Sequence, residues 1–275
     1  MTVQDWLRLA RVGNCLVIAL GVLTGYVAGG GSVSDPPWLL VASAPLIAAG
    51  GNALNDVMDV EADKINKPWR PVARGYIRRE DALAFSAATV LGGTALGFAH
   101  SLPAGILAAL ASLLLVLYDV SLKATGVSGN ITIALLSSLN IVYGGLAAPK
   151  PLWSLLPALF AFLLVLGREF MKGLEDISGD LRAGYRTLAS TRGPRAAFTA
   201  SALTLLSVVA LSPLPLLYGY GALYLLLAVL GVDAPVALTL LYARRDPVSR
   251  AWRSTRLLKL PILMGLLAFS LGRCA

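Results

Sequence analysis

Charge is what this sequence has least of: only 14% of its 275 residues are Asp, Glu, Lys or Arg, where an ordinary soluble domain carries about a quarter. Cysteine and histidine are scarcer still, with Cys15, Cys274 and a single His100. Neither cysteine has a partner at metal-ligand spacing, which excludes the usual zinc sites. The two also fall near opposite ends of the topology read below, which argues against a disulfide between them. His100 sits in a short turn between apolar runs, which argues against histidine-led catalysis or metal binding. What is abundant is apolar: 57% of residues are hydrophobic and mean hydropathy is +0.73. Such a chain needs a solvent other than water.

Apolar runs of about 20 residues span a bilayer as helices. Nine are present, at 13–30, 37–55, 82–99, 104–121, 130–147, 152–171, 195–212, 220–242 and 257–273. The expected fold is an all-α integral membrane protein, a single domain over 1–275 with nine transmembrane helices. Arg8 and Arg11 ahead of the first run imitate a signal peptide, but a full-length first span followed by eight more favours an uncleaved start. The net charge of +8 invites a nucleic-acid reading, which the placement of the basic residues removes. Counting Arg168, near the end of span 6, and Arg195 and Lys259, at the starts of spans 7 and 9, with the loops beside them, all Lys and Arg except Lys150 and Arg273 fall in the N-terminus or in the segments after spans 2, 4, 6 and 8. This bias puts the N-terminus and those loops in the cytoplasm and the C-terminus outside. The surroundings are membrane lipids, nucleic acid is not a partner, and no protein partner can be inferred.

The loops after spans 2 and 6 are long and acidic, and long loops in compact domains are commonly functional. GNALNDVMDVEAD and REFMKGLEDISGD share a design: an apolar helix runs into carboxylates four apart, Asp59–Asp63 and Asp176–Asp180, then into a basic segment. The likeness suggests a duplicated four-helix unit, spans 1–4 and 5–8, with a ninth added. On a continuous helix, Asn52, Asn55, Asp56, Asp59 and Asp63 share an arc of about 100°. Grouped anions repel, more so near lipid, so a cation belongs there. Oxygen donors without His or Cys fit a hard ion such as Mg²⁺, which usually bridges a few carboxylates to phosphate oxygens. Asn55, Asp56, Asp59, Asp63, Asp176 and Asp180 are the candidate metal ligands. Lys64, Lys67, Arg70, Lys123 and Lys172 are the candidate phosphate contacts. Two such motifs describe a diphosphate held by metal from both sides.

At these residues the sequence resembles the UbiA superfamily of membrane prenyltransferases. NDVMDVEAD matches the family's NDxxDxxxD at Asn55, Asp56, Asp59 and Asp63, and EDISGD its DxxxD at Asp176 and Asp180. YDVSLKATGVSGN is similar to its YxxxxK…GN element, at Tyr118, Lys123 and Asn130, and RVGN to its RxxN opening, at Arg11 and Asn14. NKPWRPVARG and EDISGDLRAGYRTLA are most similar to the archaeal digeranylgeranylglyceryl phosphate synthase branch, although RPVARG stands where RPIPSG is usual there. The resemblance implies a bundle around a central apolar cavity and Mg²⁺-dependent ionisation of a prenyl diphosphate. Its acceptor would be a lipid, geranylgeranylglyceryl phosphate, in ether-lipid synthesis. It places Arg11, Asn14, Tyr118, Lys123 and Asn130 near the substrates, and gives Asp59, Asp63, Asp176 and Asp180 the catalytic role of holding metal.

Some readings stay open at this point. Tyr118 either meets the reacting carbon or acceptor, or anchors its helix at the membrane interface. Asp119 takes the acceptor's proton or, preferably, pairs with Lys123. Surplus Arg74, Arg182 and Arg186 suit an acceptor phosphate. An aromatic acceptor such as 4-hydroxybenzoate is the alternative within the superfamily. A transporter is the alternative outside enzymology, its one supporting feature being Asp233 in mid-span.

Overall fold

The computed structural model describes residues 2–273; Cys274, and with it any pairing to Cys15, lies outside the described residues. Among them all regular structure is helical, apart from a single bridge between Tyr220 and Arg273. Eight helices are long and apolar enough to cross a membrane, and the bent pair α1 (Val3–Ala10) and α2 (Val12–Ala28) makes nine if counted as one span. The others are α3 (Trp38–Met58), α5 (Arg79–His100), α6 (Leu102–Val120), α7 (Val127–Gly145), α8 (Leu155–Glu175) and α11 (Pro194–Leu211). The last two are broken: α12 (Ala222–Ala228) with α13 (Ala234–Ala243), and α14 (Ala251–Leu257) with α15 (Lys259–Leu271). Short helices α4 (Val60–Asn66), α9 (Ile177–Ala183) and α10 (Leu188–Arg192) fill the two long loops.

The first span begins earlier than its apolar run, because α1 is amphipathic. Asp5 caps its start by accepting from the N–H and hydroxyl of Thr2, and Leu9 is fully buried. Arg11, at φ 53°, bends the pair by 48°. In the penultimate span Pro235 has no N–H to give Gly231, and a π-helical turn, Val229–Asp233, absorbs the defect. Pro261 likewise leaves Leu257 without its helical donor, and the last span breaks at Leu258.

α2 and α7 cross with almost no gap. A Cβ on Gly25 would collide with the carbonyl oxygen of Ile141, and one on Gly144 with that of Val22. Small residues permit such an approach, and close packing is what holds helices together where lipid is as apolar as leucine. Gly25→Leu is therefore expected to lose at least the ~1–3 kcal/mol typical of overpacking, because backbone atoms cannot step aside. Gly92→Leu, with open space around its Cβ, is the control. Equal thermal midpoints in detergent for the two variants would mean the helices lie further apart than described.

The two motifs occupy matching places. α3 has 21 residues, breaks at Asp59 (φ −94°, ψ 8°) and continues as the seven residues of α4. α8 has 21 residues, breaks at Asp176 (φ −93°, ψ 1°) and continues as the seven residues of α9. Each long helix accepts a serine from a neighbour, Ser86 onto the Gly50 carbonyl at 2.8 Å and Ser201 onto the Gly167 carbonyl at 2.7 Å. α4 and α9 touch, so the motifs meet at one end of the bundle.

Candidate active site

Below that end lies a chamber of about 830 Å³, walled by α2, α3, α6, α7, α8 and α15. Its polar mouth takes Asn55, Asp56 and Asp59 from the first motif and Asp176 from the second. Arg11, Asn14, Lys67, Arg70, Tyr118, Lys123 and Lys172 line the same mouth. Away from it the walls turn apolar, with Ile47, Leu107, Leu115, Leu136 and Leu266 among them. A polar head of several negative charges and a long hydrocarbon tail are the ligand this shape accepts.

The first motif is a dense ion-pair network. Asp56, 2% exposed, accepts from Arg11 at 2.6 Å and faces Arg70 at 3.1 Å. Arg70 also pairs with Asp63 and lies 4.0 Å from Asp59, whose own partner is Lys123. Asn55 ties the network to α6, donating to Asp119 at 3.0 Å while its oxygen accepts from Arg11 at 3.2 Å. The preferred partner of Asp119 in the sequence reading, Lys123, goes to Asp59 instead. Tyr118 stands within electrostatic reach of Glu169, Asp119, Asp59 and Asp180.

Burial pushes the Asp63 carboxyl above the usual range despite Arg70. Burial, then the charge of Asp176, pushes Asp180 up to about 6. Burial also lowers Lys67, against the pull of Asp176 across the gap between the motifs. Crowded, raised carboxyls are what a site built for additional positive charge presents. Among the described residues no three His, Cys, Asp or Glu converge on one point. A Mg²⁺ shared with phosphate oxygens needs only one or two carboxylates, so the all-oxygen donor set fits such an ion.

Four expected residues do not line the chamber. Lys64 is exposed and pairs with Glu61 at 2.8 Å. Asn130 lies outside it on α7, and Asp180 stands behind Asp176. Asp63 belongs to α4, beyond the break at Asp59, and shares Arg70 with Asp56 without reaching the chamber wall. Arg74, Arg182 and Arg186 are exposed and line no part of the chamber. Asp233 is elsewhere, accepting from Ser212 at 2.7 Å beside a small separate cavity. Sequence reasoning missed Arg8, Arg168 and Lys259, all on the chamber wall. For Arg168 a signal was available, a lone arginine inside an apolar run.

Residues 16–263 match the UbiA prenyltransferase family. The digeranylgeranylglyceryl phosphate synthase of Saccharolobus solfataricus is 35% identical over 99% of this chain and 98% of its own length. A solved structure described as digeranylgeranylglyceryl phosphate synthase in membranes superposes with a TM-score of 0.77 at 30% identity, covering 98% of this chain and 97% of that one. A UbiA homolog from Archaeoglobus fulgidus bound to GPP and Mg²⁺ shares the fold with a TM-score of 0.67 at 16% identity, covering 97% of this chain and 100% of that one.

Proposed function

The chain belongs to the UbiA prenyltransferase family, and from that premise we propose that it joins a geranylgeranyl group to 3-O-geranylgeranylglyceryl phosphate. The product would be digeranylgeranylglyceryl phosphate, after which its archaeal relatives are named. The observation that carries this reading is the single chamber in which both aspartate motifs meet above a long apolar space.

Asp59 and Asp176 on the chamber wall, with Asn55 and Asp180 beside them, hold the metal in this reading, and Mg²⁺ is the ion their oxygens suit. When bound, it supplies positive charge that makes diphosphate a better leaving group. Asp56 and Asp63 complete that ligand set in this reading and also hold Arg11 and Arg70 in place. Arg70, Lys123, Lys67 and Lys172 offer charge-assisted hydrogen bonds to the diphosphate oxygens. The apolar walls seat the prenyl chain and keep water from the allylic carbon as its bond to oxygen breaks. The acceptor hydroxyl forms the new C–O bond, and Asp119, on the same wall, takes its proton.

The motif face is cytoplasmic in this reading. Besides the charge bias, the two basic residues assigned to the other face sit together, Lys150 at 5.3 Å and Arg273 at 4.5 Å from the Trp153 ring. In a cysteine-free background, Ser34→Cys is expected to react with an impermeant thiol reagent outside the cell, and Ser249→Cys only after permeabilisation. Labelling of both from one side would overturn the orientation.

The reaction itself is tested with purified protein, labelled geranylgeranyl diphosphate and Mg²⁺. Product with 3-O-geranylgeranylglyceryl phosphate is expected. Prenylation of 4-hydroxybenzoate with none of the glyceryl phosphate would move the chain to the aromatic branch.

A further inference from the structure

We infer that the α8–α15 wall of the chamber is the acceptor subsite, with Arg168 and Lys259 as its phosphate contacts; this rests on the prenyl-transfer reading above. Along α8 the chamber is lined by Arg168, Val165 and Ala161, and along α15 by Lys259, Ile262 and Leu266. Steps of three and four residues keep each set on one helix face. α8 runs toward the motif end and α15 away from it, so both stripes start with a cation at the mouth and descend into apolar side chains. Together they form an amphiphile-shaped trough beside the wall beneath Asn55 and Tyr118.

The charges of this trough are not spent on the aspartate motifs. Arg168 is oriented by the Thr255 carbonyl, which accepts from its Nε at 3.2 Å. Thr255 lies one turn before Lys259 and donates to Glu175 at 2.6 Å, fastening α14 to α8. Glu169 is the one carboxylate paired here, and it is divided between Arg168 at 2.9 Å and Lys172 at 3.5 Å. Lys259 has no ion pair within 4.0 Å among the described residues; it feels the like charges of Arg168 and Arg256 and the opposite charge of Glu175. By contrast Arg11, Arg70 and Lys123 each face an aspartate of the first motif. Arg168, Arg256 and Lys259 outnumber Glu169 and Glu175 by one charge here, and positive charge beside an apolar trough calls for a second anion carrying its own hydrocarbon chain. A prenylated glyceryl phosphate is that ligand; a benzoate would need one cation and no trough.

Lys259 is exposed and unpaired, so Lys259→Gln should leave the fold intact. Binding of 3-O-geranylgeranylglyceryl phosphate is measured in detergent with EDTA and no donor, alongside 3-O-geranylgeranylglycerol, which lacks the phosphate. Loss of one charge-assisted contact should weaken the phosphate ligand about tenfold. The dephosphorylated ligand should bind wild type and variant equally, and Lys259→Arg should restore the difference. In turnover, Lys259→Gln should raise the acceptor KM and leave the donor KM unchanged. Wild-type affinity in the variant, or equal weakening of both ligands, overturns the subsite. Charge-dependent binding by wild type without any prenyl transfer would instead refute the reaction and leave the subsite standing.

Discussion

Asp176→Ala is expected to lower prenyl transfer at least about 100-fold, the usual consequence of removing a main electrostatic element from a reacting centre. Asp59→Ala should do the same, since each aspartate brings its motif's carboxylate to the chamber mouth. The two losses should not multiply in the double variant if both serve one diphosphate, because residues acting as a unit are non-additive. EDTA should silence the wild type, and Mg²⁺ should restore it. The informative comparison is KM against kcat. A metal that acts as the bond breaks should show its loss chiefly in kcat, whereas residues that merely hold the donor should show theirs in KM. An Asp176→Ala protein turning over at the wild-type rate would leave the second motif without a role.

The second large effect is on stability. Arg70 is a half-buried guanidinium shared by Asp56 and Asp63, which are 2% and 3% exposed. Arg70→Met leaves those carboxylates with much less compensation, and breaking a buried pair from one side costs about 3–5 kcal/mol. Adding Asp56→Asn removes one stranded charge and should recover part of the loss, a coupling that separate surface sites would not show. The readout is the unfolding midpoint in detergent, with far-UV helicity to confirm the starting fold. Arg70→Met as stable as wild type would mean that the network is a solvated surface cluster. Asp56 sits deepest in it and faces two guanidiniums, Arg11 and Arg70.

Much of this was legible in the sequence because a bilayer imposes a simple rule. Runs of about 20 apolar residues must become helices that satisfy their own backbone, so the runs located the spans between the first and the last to within a few residues, while the first and last begin earlier, at Val3 and Ala251. Asn55, Asp59, Asp176, Tyr118 and Lys123 were legible as a constellation because their spacing is tied to helix ends. The break at Asp59 was not legible, since NDVMDVEAD contains neither proline nor glycine; Asp63 nonetheless shares Arg70 with Asp56. Lys259 was counted as one more topological charge; only the break at Leu258 and the packing of α15 on α8 and α2 turn it toward the chamber. The basic residues taken for acceptor contacts, Arg74, Arg182 and Arg186, were chosen for proximity in sequence to the motifs. Distance along a chain does not reveal which side of a loop faces the solvent.

The crossing of α2 and α7 bears on how this chain can change over generations. Collisions at Gly25 and Gly144 are both with backbone carbonyls of the partner helix, so no second substitution in a side chain can make room for the first. Those two positions are closed to drift, singly and in combination. The outward leucines, such as Leu91 and Leu203 at 69% and 66% exposure, touch lipid and can exchange with any apolar neighbour. Divergent descendants of this sequence should therefore keep small residues along one seam while their lipid-facing surface is rewritten around it.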